Sequence, residues 1–140
     1  MTLMAGYSGT PLAKKLGIKN GFDARLIGAP DYYYSLFEDM PNGVNFNDDA
    51  NCPQDFIHFF VKEEEIFLEI LPRLKAQLKP NGMIWVSWPK RASKIPTDIT
   101  EDTVRNYALE IGLVDIKVCA VDDIWSGLKL VIPVKDRKNS

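Results

Sequence analysis

The sequence predicts an α/β fold: a three-layer domain built on a mostly parallel sheet, with one antiparallel strand at its C-terminal end. Three observations carry that expectation. Short β-branched and aromatic runs alternate with stretches of helical spacing, an order that implies right-handed crossovers between parallel strands. The run 56–61 is Phe-Ile-His-Phe-Phe-Val, almost wholly apolar, as a strand covered on both faces must be. The last two strands are joined by a few residues, which only an antiparallel pair permits.

The elements follow in order. Thr10 suits a helix N-cap, Pro11 the first helical position and Gly17 the residue past the end, so residues 11–16 form a short helix. Residues 22–27 form a strand that closes at Gly28-Ala29-Pro30. Asp31 then caps a helix over 32–40, ended by Pro41-Asn42-Gly43. A short edge strand at 44–46 leads into a polar loop, 47–54. After the buried strand, residues 62–78 place Ile66, Phe67, Ile70, Leu71, Leu74 and Leu78 on one helical face. Glu63, Glu64 and Glu65 sit at the positive end of its dipole. Pro72 is expected to kink or split this helix. Pro80-Asn81-Gly82 makes a turn into a strand at 83–88. A polar loop, 91–99, precedes a helix over 101–111 that Thr100 caps and Gly112 ends. Strands at 114–121 and 128–134 finish the sheet.

The bulk properties suit a single domain over residues 1–140, with 1–8 as a flexible lead-in and 135–140 as a loose tail. The chain is 46% hydrophobic and 26% charged, ordinary globular values. A domain of this length buries about 70% of its unfolded surface, so neither a disulfide nor a metal is required. A net charge of -2 gives no reason to expect nucleic acid or an acidic membrane as partner. No basic segment followed by an apolar core begins the chain, and no apolar run is long enough to span a bilayer. Cys52 and Cys119 are far apart, which fits two free thiols in a reducing cytoplasm.

Open sheets of this kind bind ligands at the carboxyl ends of their parallel strands. That rule gathers residues that are scattered in sequence. The first strand delivers Pro30 and Asp31, and the strand at 83–88 delivers Ser87, Trp88 and Lys90. The hairpin before the last strand adds Asp122, Trp125 and Ser126. These eight are the candidate ligand set, around a cavity expected between Pro30, Trp88 and Trp125. Lys90, with Arg91 and Lys94, could hold an anion, and Ser87 and Ser126 add hydroxyl donors. Trp85 and Trp88 are three positions apart on a strand and face opposite sides, Trp85 towards the core. Trp125 is read as a loop tryptophan, which must pack back or meet a partner.

Other residues read as structural. His58 is the single histidine and lies in a buried strand, so a hydrogen-bonded core position is expected and no metal set surrounds it. Cys52 lacks a neighbour that would lower its pKa. Asp122 and Asp123 are placed to serve their turn. Tyr32, Tyr33 and Tyr34 point to different sides of a helix. Ser8-Gly9-Thr10 precedes a helix start, where an anion can sit.

Two resemblances follow from these residues. The order of elements from 55 to 134, with Leu78-Lys79-Pro80-Asn81-Gly82 ahead of a buried strand, resembles the second half of a class I methyltransferase, a Rossmann-like fold. The motifs Tyr7-Ser8-Gly9-Thr10-Pro11-Leu12-Ala13-Lys14-Lys15-Leu16-Gly17-Ile18-Lys19, Trp85-Val86-Ser87-Trp88-Pro89-Lys90 and Trp125-Ser126-Gly127-Leu128-Lys129-Leu130-Val131 resemble an uncharacterised family of small bacterial domains. The first resemblance implies S-adenosylmethionine held over a glycine-rich turn after the first strand, with an acidic residue closing the second strand against the ribose. This chain has Gly28-Ala29-Pro30-Asp31 at that turn. About 25 residues separate Asp31 from Phe56, which leaves little of the second and third units. Phe59-Phe60-Val61-Lys62 stands where the Asn/Asp-Pro-Pro-Tyr type motif would be.

The expectation is therefore no cofactor, S-adenosylmethionine included, and no catalytic residue. A non-catalytic domain that binds a small molecule or a protein partner at the carboxyl edge is the leading reading. The alternatives are a divergent methyltransferase-like enzyme, and a scaffold or homo-oligomer subunit with an apolar patch at residues 32–37 or at Trp125.

Overall fold

The structure, a computed structural model, describes residues 10–137. The lead-in assigned to 1–8, the anion position at Ser8-Gly9 and the last tail residues lie outside the described part. The sheet consists of β1 (Asp23–Ile27), β2 (Asn45–Phe46), β3 (Gln54–Phe60), β4 (Leu78–Pro89), β5 (Val114–Ala120) and β6 (Trp125–Val131). Their spatial order is β2-β1-β3-β4-β6-β5. β1 pairs in parallel with β2 and β3, and β3 with β4. β6 is antiparallel to both β4 and β5. The fold is thus the mostly parallel α/β sheet with one reversed strand that the sequence predicts.

The period of two along each strand separates two cores. Ile57, Phe59, Ile84, Val86, Trp88, Leu128 and Leu130 face α2 (Glu64–Ala76) and α3 (Glu101–Glu110). Ala24, Phe56, Met83 and Trp85 face α1 (Leu12–Leu16) on the other side. There Trp85 is fully buried, and its indole N–H donates to the Leu16 carbonyl at 2.8 Å. The opposite orientation of Trp85 and Trp88 is as the strand period requires.

Local chemistry explains where the elements start and stop. The amides of Ala13 and Lys14, in the first turn of α1, donate to the carboxylate of Asp39 at 3.1 and 3.2 Å. A residue distant in sequence therefore satisfies the helix start. α3 begins with a capping box between Thr100 and Thr103. Pro72 lies inside α2 without splitting it. A proline there cannot donate to the carbonyl four residues earlier. That carbonyl, of Leu68, accepts the Tyr107 hydroxyl of α3 at 2.9 Å, so α3 supplies the missing bond and the helix continues.

Three expectations are corrected. The helix over 32–40 is only a 3-10 turn, Tyr33–Leu36, and Phe37 is already extended. The Ser35 hydroxyl donates to the Tyr32 carbonyl at 2.6 Å, which takes an acceptor that a longer helix would use. The Pro80-Asn81-Gly82 turn is absorbed into β4: Gln54 pairs with Leu78 and Phe56 with Met83, so the intervening residues bulge from the ladder. The last strand begins at Trp125 rather than 128, so this tryptophan is a strand residue and not a loop one.

Candidate functional site

The strand exits of β1, β3, β4 and β5 share one edge of the sheet, and β6 starts there. The chain order reverses between β1 and β3: β2 lies on one side of β1, and the later strands on the other. A crevice opens at such a reversal in parallel sheets. Here it falls between Gly28 and the end of β3. Gly28 is exposed, with φ of +68°, and a Cβ at this position would stand 2.5 Å from the Phe60 carbonyl oxygen. Only glycine meets both demands. Asp31, three residues on, is exposed, and no hydrogen bond or ion pair engages its carboxylate among the described residues. The Pro30 carbonyl is taken by the Tyr33 amide at 2.9 Å.

Beside the crevice stands an aromatic wall. Tyr33, Phe60, Val121 and Trp125 form a third buried cluster. The rings of Phe60 and Trp125 meet edge to face at 5.0 Å. The Trp125 indole N–H donates to the Tyr32 hydroxyl at 3.2 Å, and that hydroxyl donates to Asp122 at 2.9 Å. The other Asp122 oxygen accepts the amides of Ile124 and Trp125, both at 2.8 Å. Asp122 thus holds its turn and ties it to Tyr32, whose hydroxyl titrates above its usual value because of burial and then this carboxylate.

Under the wall runs a buried polar chain. The Tyr33 hydroxyl lies 3.0 Å from His58 Nδ1, and His58 Nε2 lies 2.8 Å from the Ser87 hydroxyl. His58 and Ser87 are fully buried. Burial pushes the imidazole down to about 3 and the Tyr33 phenol well above its usual range. The imidazole is therefore neutral and carries a single N–H. One of its two contacts has histidine as donor, and the other has a hydroxyl as donor. Gly127 makes room for this chain, because a Cβ there would stand 3.4 Å from Ser87 Oγ and 3.1 Å from the Trp85 ring.

The structure sorts the eight candidate residues into groups. Pro30 and Asp31 border the crevice. Asp122 and Trp125 belong to the wall. Ser87 is sealed beneath it. Trp88 is buried on the α2 and α3 side, so the sheet lies between it and Trp125, and the two do not line one pocket. Ser126 is the register partner of Trp88. The Lys90 amide donates to the Ile124 carbonyl at 2.7 Å, and its ammonium makes no ion pair among the described residues. A cleft of about 1130 Å³ lies instead at the amino edge, lined in part by Cys52, Gln77, Lys79, Asn81 and Arg137. The sequence placed Gly28 at the turn, His58 in a hydrogen-bonded core position and Ser87 among the candidates; it did not show the contact of Gly28 with Phe60 or the link from Tyr33 through His58 to Ser87.

No protein-family model matches the sequence, and no curated protein matches it. Solved structures do match its fold. A SAM dependent methyltransferase from Aquifex aeolicus superimposes with a TM-score of 0.60 at 18% identity, covering 86% of this chain and 88% of that one. Fibrillarin from Aeropyrum pernix, in complex with natively bound S-adenosyl-L-methionine, gives 0.55 at 15%, covering 86% and 73%. LepI in complex with SAM gives 0.52 at 12%, covering 86% and 39%. The chain spans only about half or less of several such neighbours, from 39% to 51% of their length. The fold is therefore methyltransferase-like. The expectation that this architecture comes without a cofactor is corrected, because chains of the same fold were solved with S-adenosylmethionine or its demethylated product. Among the described residues, no helix is long and apolar enough to cross a membrane.

Proposed function

We propose that this chain is a divergent methyltransferase-like protein that takes S-adenosylmethionine at the reversal point of its sheet. The observation that supports the reading most is Gly28: an exposed glycine of positive φ, at the exit of β1, in backbone contact distance of the exit of β3. The Phe60 carbonyl takes the space a Cβ would need, and the rest of the Gly28 backbone stays exposed, where a cofactor can approach it. Asp31, exposed and unengaged on the same turn, is the acceptor we assign to the cofactor's hydroxyl or ammonium groups. Asp48, which follows β2, is not assigned that role, because it pairs with Arg25 at 3.2 Å. When bound, the cofactor supplies an electrophilic methyl group. The chain's own contribution is to orient it and to exclude water with the aromatic wall.

Calorimetric titration with S-adenosylmethionine and S-adenosylhomocysteine tests the proposal. Wild type binds both, and Asp31→Ala, an exposed change with no folding role, weakens binding at least tenfold. No saturable binding by wild type, or equal binding by the variant, overturns it. Binding without turnover is the second reading of the same edge. It is favoured by the complete burial of His58 and Ser87, a base and a hydroxyl that no substrate reaches in this conformation.

A further inference from the structure

On the α1 side of the sheet, away from the crevice, four lysines, Lys15, Lys19, Lys117 and Lys129, come together with no carboxylate to meet them among the described residues. Lys117 of β5 and Lys129 of β6 are direct register partners, so two like charges oppose each other across the ladder, an arrangement that destabilises a sheet. The Lys117 ammonium donates to the Lys15 carbonyl at 3.2 Å, and the Lys15 ammonium to the Ala120 carbonyl at 3.3 Å. A Cβ at Gly17 would lie 3.6 Å from the Lys129 ammonium, so the end of α1 reaches the same spot. Burial, then Lys117 and Lys19, hold Lys129 below the usual lysine value. Cys119 sits in the same field: burial raises its thiol, while Lys15, Lys117 and Lys90 pull it back.

Four cations elsewhere are ion-paired, whereas, among the described residues, Lys14, Lys62, Lys75, Arg91, Lys94, Lys135 and Arg137 are not, so it is the convergence of charge and not the lack of a carboxylate alone that sets this face apart. Lys79 meets Asp23 and Asp55, Arg105 meets Glu101, Asp102 and Asp115, and Arg25 and Arg73 each meet a carboxylate. None of Lys15, Lys19, Lys90, Lys117 or Lys129 does so among the described residues. Residues 1–9 contain no Asp or Glu that could be laid across them. A solvated lysine face would disperse its charges and keep them in water. Here Lys15 and Lys129 are half-buried, Lys117 and Lys129 are directly opposed, and the whole chain carries a net charge of -2, so the positive charge is gathered locally.

We propose that the α1-facing side of β5 and β6 is a binding site for a compact polyanion, a small molecule carrying two or more phosphate groups, held by Lys15, Lys19, Lys117 and Lys129 beside Cys119. The cations converge instead of forming a stripe, which suits a short polyphosphate better than a nucleic-acid backbone, whose charges are spread along an axis. Bound anion replaces like-charge repulsion with charge-assisted hydrogen bonds. The site does not depend on the cofactor reading, because none of its residues borders the Gly28 crevice.

Tripolyphosphate is the probe, with single-stranded oligonucleotide as competitor, followed by calorimetry and thermal unfolding. Wild type binds tripolyphosphate with one-to-one stoichiometry and weakens as salt rises. Lys117→Gln and Lys129→Gln each weaken binding at least tenfold. In anion-free buffer the same variants raise the melting temperature, since each removes one of two opposed charges, a sign that a lysine with a purely supporting role would not give. In a Cys52→Ser background, tripolyphosphate slows modification of Cys119 by an anionic disulfide reagent. Absence of saturable tripolyphosphate binding, or variants that bind as wild type does, overturns the proposal. So does an oligonucleotide that binds more tightly and displaces tripolyphosphate, which would reassign the face to nucleic acid.

Discussion

Acidification should destabilise this protein through His58 before it does so through its carboxylates. The folded imidazole titrates at about 3, while the unfolded one returns to 6.5. Below 6.5 the unfolded chain binds a proton that the native chain refuses, so stability falls as pH falls across the window from 6.5 to about 3. The slope is about 1.4 kcal/mol per pH unit. Between pH 7.5 and 4.5 the loss from this group is therefore about 3 kcal/mol, set almost wholly by the two units below the unfolded value. The depressed carboxylate Asp23 loses its contribution only below its unfolded value of 3.8, so pH 4.5 separates the two effects. Urea unfolding at both pH values measures the loss in wild type, and His58→Gln should remove most of it. Since there is one histidine in the chain, its C2 proton gives a single titratable imidazole signal in the native protein. A native midpoint near 6.5 would refute the reasoning, whatever the variant does.

Three further outcomes follow from particular contacts. Gly28→Ala forces a side chain into a left-handed conformation and against the Phe60 carbonyl, and should cost at least about 2 kcal/mol in urea unfolding. Asp39→Ala leaves the first amides of α1 without their acceptor and should cost about 1 kcal/mol. Tyr107→Phe should cost about 1 kcal/mol in wild type, and much less in a Pro72→Ala background, where a new amide serves the Leu68 carbonyl. A double-mutant cycle with no coupling would mean that the hydroxyl does not stand in for the proline.

The parts of the fold that period and punctuation encode were legible in the sequence. Strand β3 declared itself by its apolar run, α3 by Thr100 and Gly112, and the reversed strand by its short hairpin. The failures share a cause, which is that tertiary partners decided them. Residues 32–40 carry a helix's length and a plausible cap, yet Tyr33 must reach His58, Tyr34 packs edge to face on Phe46 and Tyr32 bonds Asp122. No single helix face serves all three. Trp125 follows two aspartates that read as loop, and its strand character comes from pairing opposite Pro89. The edge that would carry a ligand was legible from strand direction alone. Pro30, Asp31, Asp122 and Trp125 were legible too; the contact of Gly28 with Phe60 was not, because it joins positions that share no motif.

These failures bear on the site. In a sheet wound on both faces, a helix after the first strand would cover the α1 side near the reversal point. Here a 3-10 turn and three tyrosines take that place, and a single neutral histidine links them to β4. The cover is thin and polar within. Its hydrogen bonds pass from Tyr33 through His58 to Ser87, and from Trp125 through Tyr32 to Asp122. A ligand seated at Gly28 would lie beside the Phe60 carbonyl, and the Phe60 ring stacks on His58 at 4.2 Å. Occupancy of the crevice should therefore be felt at the imidazole, whose single C2 signal reports both its titration and the approach of a cofactor to the exit of β1.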